Sequence, residues 1–237
     1  MPAARPRVVV ITGGSRGIGL ATAKVFAAQG AQVVITGRDD PKLKSAAEQI
    51  RSERRVDTIA FDVRDRASVE RAFQHIGSSY GKIDVLFNNA GVAHALAPVE
   101  KLAPEAWRAV IETNLTGTYL VTRAALPLMR GGSSIVNNLS IAAVQPFSGM
   151  SAYNAAKFGA LGFTKALREE LREKGIRVLA LIPGATNTEI WQQFWPEAPK
   201  EKMMKPETVA EAILHAVAAA PEASVEELII GPTAGVL

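Results

Sequence analysis

Short runs rich in Val and Ile alternate along the whole chain with longer segments whose apolar residues recur at helical spacing. Repeated strand–helix units of this kind predict an α/β fold, a parallel sheet covered by helices. Strands are expected at 8–12, 32–36, 57–61, 85–88, 134–139, 177–182 and 227–230, with helices between them. The first run, V-V-V-I, carries no polar interruption, which predicts strands buried on both faces. Gly30 stands where the first helix needs a left-handed C-terminal cap, and Asp40-Pro41 reads as an N-cap followed by a first-turn proline. No linker-like stretch, internal repeat or low-complexity tract divides the 237 residues, so one domain spanning 1–237 is expected.

In open parallel sheets, ligands bind beyond the carboxyl ends of the strands, and here polar or glycine-rich clusters occupy six such ends. T-G-G-S-R-G-I-G follows the first strand. Gly13, Gly17 and Gly19, with Ser15, Arg16 and Ile18, would let the backbone approach a pyrophosphate at a helix N-terminus. The second strand ends T-G-R, offering Arg38 where a cofactor lacking a 2′-phosphate would meet a carboxylate. With Arg16 as a second guanidinium, this predicts NADP(H) in preference to NAD(H), although Asp39 and Asp40 follow directly. Asp62 and Val63, after the third strand, would meet an adenine through a carboxylate and an apolar side chain. N-N-A-G at 88–91 would run its main chain along a flat ligand at Asn89, Ala90 and Gly91, while Asn88 and Asn89 tie neighbouring loops.

Tyr153 and Lys157 lie four residues apart in S-A-Y-N-A-A-K, and Ser140 ends the fifth apolar run. Positions i and i+4 share one helix face, so an ammonium can approach the phenol. A cation about 4 Å away at an effective dielectric near 20 favours the phenolate by roughly 4 kcal/mol. That predicts a tyrosine pKa near 7, suited to proton transfer.

Composition narrows the chemistry. There is no cysteine, and His75, His94 and His215 are far apart, so neither a thiolate nucleophile nor a metal site is expected. The net charge of +4 is spread without a basic block or interleaved aromatics, which argues against nucleic acid as a partner. No segment has the length and apolarity of a membrane span or a leader core, and a cytoplasmic location is expected.

Residues 12–19, 88–91, Asn114, Ser140, Tyr153, Lys157 and P-G-A-T-N-T at 183–188 together resemble the short-chain dehydrogenase/reductase family, in order and at family spacing. The resemblance implies a single Rossmann-type domain, with about seven parallel strands doubly wound by helices. It implies Tyr153 as general acid/base, Lys157 holding the cofactor ribose, Ser140 bonding the substrate oxygen and Asn114 helping to hold a relay water. Pro183, Gly184, Thr186 and Thr188 would border the nicotinamide, Thr188 meeting its carboxamide. A homodimer or homotetramer is also implied. Leu139 departs from the small polar residue often found in relatives and would reshape the pocket.

The resemblance makes 188–206 a substrate lid. Trp191, Phe194 and Trp195 would line an apolar pocket or else bury against the core or a partner subunit, and His94 is expected on an exposed loop. The reading that follows is an NADPH-dependent oxidoreductase converting a ketone or aldehyde to an alcohol, reversibly. A 3-oxoacyl-thioester reductase, a sugar or polyol dehydrogenase and a non-catalytic NADP-binding sensor stand as alternatives. Lys200, Lys202 and Lys205 would serve the first of these at the pocket mouth.

Overall fold

The structure, a computed structural model, describes residues 7–52 and 54–235. Its centre is a seven-stranded sheet in the order β3-β2-β1-β4-β5-β6-β7, every neighbouring pair parallel. The strands are β1 (Val8–Thr12), β2 (Gln32–Gly37), β3 (Asp57–Ala60), β4 (Val85–Asn88), β5 (Ser134–Asn138), β6 (Arg177–Pro183) and β7 (Glu227–Ile230). The helices are α1 (Gly17–Ala28), α2 (Asp40–Glu48), α3 (Arg66–Tyr80), α4 (Pro104–Ile111), α5 (Gly117–Ala125), α6 (Ser151–Leu171), the short α7 (Trp191–Phe194) and α8 (Pro206–Val217).

The pleat explains the two helical layers. Val9 and Ile11 of β1 pack with Phe26 of α1, Leu43 of α2 and Ile213 of α8 on one face. Val10, one residue out of phase, packs with Phe73 of α3, Val121 of α5 and Leu167 of α6 on the other. The central strands are therefore buried on both sides, as their unbroken apolar runs predict. The edge strands β3 and β7 keep partly exposed positions, because each has a neighbour on one side alone.

Two local expectations meet different outcomes. Gly30 adopts φ 74° just past α1, the left-handed turn predicted for it. The cap of α2 is Asp39, one residue earlier than expected: its side chain accepts from the Lys42 N–H at 3.0 Å, and Asp40 and Pro41 form the first turn. Asp39 has the extended backbone that an N-cap needs, whereas Asp40 is already helical.

Strand order reverses between β1 and β4. The loops diverging there open a crevice at the carboxyl edge of the sheet. A buried polar chain ties the helices to this edge. The Asn88 amide donates to the Thr122 hydroxyl at 2.9 Å and to Asn137 Oδ1 at 2.8 Å, and the Asn137 amide donates to the Thr164 hydroxyl at 2.9 Å.

Candidate active site

One cavity of about 1020 Å³ occupies the crevice and runs from the β1–α1 turn to the segment after β6. Gly13 and Gly17 in that turn have φ 63° and 53°, which a side chain would strain. The N-cap of α1, Arg16, makes no side-chain capping bond, and the first turn carries no acid, so its amides remain available to an anion. This cradle fits the phosphates of a dinucleotide. Ser15, Arg16 and Ile18 also line the cavity. Gly19 lies off the cavity wall: a Cβ there would collide with the Gly13 carbonyl oxygen, so this glycine allows close packing of the turn. Gly14, which sequence reasoning passed over, is likewise pressed against Ile35.

The turn is fastened from β4. The Asn89 amide donates to the carbonyls of Thr12 and Gly13 at 3.0 and 2.9 Å, while the Thr12 hydroxyl accepts from the N–H groups of Asn89 and Ala90. Asn89, Ala90 and Gly91 border the cavity, and Asn88 and Asn89 bind neighbouring elements as anticipated.

Arg38, Asp62 and Val63 line the far end of the cavity, together with Lys42 and Arg64. The acids here are already engaged. Asp39 pairs with Lys42 at 2.9 Å and Asp40 with Lys44 at 2.7 Å. Both Asp62 oxygens accept from the Arg64 guanidinium, and that hydrogen bonding holds the carboxyl below its ordinary pKa. Asp62 thus braces its own turn while standing on the cavity wall.

The chemically active groups converge midway along the cavity. Ser140 Oγ accepts from the Ala142 N–H at 3.1 Å, which holds the oxygen in place. Tyr153 and Lys157, one turn apart on α6, are both buried, and Lys157 Nζ lies 5.5 Å from the centroid of the Tyr153 ring. The ammonium donates to the Asn138 carbonyl at 2.8 Å. The predicted phenol pKa near 7 is not what this geometry produces. Burial pushes Tyr153 up to about 12, against a smaller opposite pull from hydrogen bonding with Ser140, and burial pushes Lys157 down to about 8. The reason is that Lys157 stands over the ring and spends one N–H on Asn138, while the low-dielectric surroundings penalise both charged forms.

Asn138 was not singled out by sequence reasoning. Its amide donates to Asn89 Oδ1 at 2.9 Å and its carbonyl anchors Lys157, so it joins the glycine turn to α6. Two successive asparagines at a strand end were the signal available. Leu139 borders the cavity as expected. Asn114 sits in a π-helical turn, Glu112–Thr116, and lies off the cavity wall. Its side chain is spent on Val92, accepting from the N–H at 2.9 Å and donating to the carbonyl at 2.8 Å. That amide pins the β4 loop and keeps a second N–H beyond the one given to Val92.

Pro183, Gly184, Thr186 and Thr188 all reach the cavity from the end of β6. Beyond them, Trp191, Phe194 and Trp195 line it too, so the aromatic segment faces the site. The Trp191 indole donates to the Thr186 carbonyl at 2.8 Å, and its ring packs with Met203 and Ala198. His94 is buried, contrary to the exposed loop expected for it. The loop carrying it is tied down where the Ala93 N–H donates to Gln193 Oε1 at 2.8 Å.

Among the described residues, no helix is long and apolar enough to cross a membrane, and no group of His, Asp or Glu is spaced to hold a metal. The family model for short chain dehydrogenase matches residues 7–199. Sulfoacetaldehyde reductase 2 of Chromohalobacter salexigens is 32% identical, covering 95% of this chain and 94% of that protein. A metagenomic short-chain oxidoreductase solved with NADP superposes with a TM-score of 0.83 at 30% identity, covering 96% of this chain and 97% of that one. A 3-ketoacyl-(acyl-carrier-protein) reductase from Brucella melitensis, solved with NADH, reaches a TM-score of 0.87 at 32% identity, with 96% and 98% covered.

Proposed function

This chain belongs to the short chain dehydrogenase family, and from that premise we propose that it is an NADPH-dependent reductase of ketones or aldehydes, working reversibly on the alcohols. The observation that carries the reading is the meeting of Ser140, Tyr153 and Lys157 on the wall of a cavity whose other end is an anion-ready helix terminus.

Bound NADPH supplies the hydride. Ser140, its oxygen fixed by the Ala142 N–H, donates to the substrate carbonyl oxygen and stabilises the negative charge that grows there. Tyr153, its pKa raised to about 12, carries its proton at neutral pH and hands it to that oxygen. Lys157 has two N–H bonds beyond the one given to Asn138, available to hold ribose hydroxyls and to favour the phenolate left after proton transfer. Asn114 pins the β4 loop through Val92 and has its second amide N–H left for a relay water.

The preference for NADPH rests on charge pairing. Asp39 and Asp62, the acids that would repel a 2′-phosphate, are matched by Lys42 and Arg64. Among the described residues Arg16 and Arg38 make no salt bridge, which leaves two guanidinium groups for that phosphate. Residues 188–206 act as the lid. Ile190, Trp191, Phe194 and Trp195, with Leu96, Phe147 and Met150 lining the same cavity, favour an apolar or mixed substrate over a sugar or polyol.

A second reading, 3-oxoacyl-thioester reduction, is favoured by Lys200, Lys202 and Lys205, all exposed on the C-terminal part of the lid, where an acidic carrier would dock. Exposed Trp107, Tyr119 and Phe158 on α4, α5 and α6 support association into a homodimer or homotetramer. A cytoplasmic location completes the proposal, in keeping with a chain that has no cysteine.

NADPH oxidation over a panel of aryl ketones, aliphatic aldehydes, sugars and 3-oxoacyl thioesters tests the reading. Turnover on apolar carbonyls, falling about 10²–10⁴-fold in Tyr153→Phe while NADPH binding persists, is expected. Tight NADPH binding without turnover on any carbonyl would instead identify a sensor.

A further inference from the structure

At the adenosine end of the cavity an acid, Asp62, stands where a polyanion is proposed to bind. Arg64, two residues on, folds back over it: Nε lies 3.1 Å from both carboxylate oxygens, and Nη2 lies 2.7 Å from Oδ2. The Arg64 main-chain N–H adds a fourth bond, to Oδ1 at 2.9 Å. One residue therefore brings three donors to the carboxylate, two of them in the forked geometry that an arginine provides and a lysine does not. The Asp62 and Arg64 side chains are 26% and 36% exposed, so the pair lies at the cavity rim, where solvent screens it only partly. Arg38, at the end of β2, also acts electrostatically on Asp62, so the acid and the guanidinium meant for a 2′-phosphate share one field. Without Arg64, Asp62 would set a negative charge against that phosphate and draw Arg38 toward itself.

We propose that Arg64 is a specificity residue acting through Asp62: its clamp neutralises the carboxylate and so reserves Arg38 and Arg16 for the 2′-phosphate that distinguishes NADPH from NADH. The inference rests on the reading of the cavity as a nicotinamide dinucleotide site. It assigns Arg64 no contact with the ligand. Its effect is confined to the phosphorylated cofactor, because NADH carries no charge at that position.

The test is titration of NADPH and NADH, by nucleotide fluorescence, into wild type, Arg64→Gln, Asp62→Asn and the double variant. Arg64→Gln should weaken NADPH about tenfold and leave NADH within about twofold. Adding Asp62→Asn should restore most of the loss, because the repelling charge is gone. Equal weakening of both nucleotides, or a loss that persists in the double variant, overturns the proposal: the first marks general packing and the second a direct phosphate contact. Tight NADPH binding with an unmoved preference overturns this inference alone. Failure of wild type to bind either nucleotide overturns the dinucleotide reading, and this one with it.

Discussion

The ring of Phe194 lies over that of Tyr153, with centroids 6.5 Å apart and planes inclined by 30°. A residue of the segment after β6 thereby covers Tyr153, the proposed proton donor on α6, and walls the space above it. Trp191 backs Phe194 at 4.7 Å and is held by the Thr186 carbonyl, so this wall is braced from β6.

Phe194→Ala should therefore raise KM for an apolar carbonyl about tenfold, in line with the 1–3 kcal/mol that a buried aromatic contact contributes. NADPH affinity should stay within about twofold, since Phe194 packs against Tyr153 and Trp191. Steady-state kinetics with both substrates varied separate the two. An unchanged carbonyl KM would mean that the lid does not touch substrate.

Lys157 predicts a pH profile. With its pKa pushed down to about 8 by burial, the ammonium that would hold the ribose is lost as pH rises through that value. kcat/KM for NADPH, which reports the free enzyme, should fall above about pH 8, with Tyr153 still protonated across that range because its own pKa is raised to about 12. A profile flat to pH 9.5 would contradict this.

The same burial has a cost in stability. A lysine at about 8 in the folded chain and 10.5 ordinarily gives up its proton earlier than the unfolded state does, so stability rises with pH between those values. The penalty is fully present below about pH 8. Lys157→Met removes it, and the stability difference between that variant and wild type should shift in favour of wild type by about 3 kcal/mol from pH 7 to 10.5. Urea denaturation at a series of pH values measures the shift.

Two glycines should respond in opposite directions. Gly19→Ala meets the Gly13 carbonyl and the Asn89 amide and should destabilise by about 1–3 kcal/mol, as overpacking does. Gly162 lies within α6 with open space around it, and Gly162→Ala should stabilise by about 0.5–1 kcal/mol. Thermal melts of the pair test the assignment.

Asn137→Leu removes the centre of the buried polar chain: one Asn88 N–H loses its acceptor and the Thr164 oxygen its donor, while Asn88 keeps Thr122 and Thr164 keeps the Ala160 carbonyl. A loss of about 2–4 kcal/mol is expected, since each orphaned group costs about 1–3 kcal/mol. Chemical denaturation checks it, and a neutral substitution would show that the chain is solvated from elsewhere.

The seven strands, the two-sided burial and the glycine turn were legible along the chain because they follow from local rules: apolar runs, a period near 3.6, and glycine where φ is positive. Tyr153 and Lys157 share a face for the same reason, four residues being close to one helical turn. What spacing does not carry is the dielectric around them. Only the folded core decides that the phenol moves up and the ammonium down, because desolvation is the work of residues distant in sequence. His94 turned out buried, and the Asn114 amide closed on Val92, through contacts that no local window contains. Asp62 is subtler, since its partner Arg64 is only two residues away; which oxygens the guanidinium takes depends on a turn held by the β2–β3 edge. Composition and order thus determined the scaffold and the placing of the candidate reactive groups along it. Their protonation, their partners and the aromatic wall over Tyr153 were decided by tertiary packing, which sets distances and excludes water.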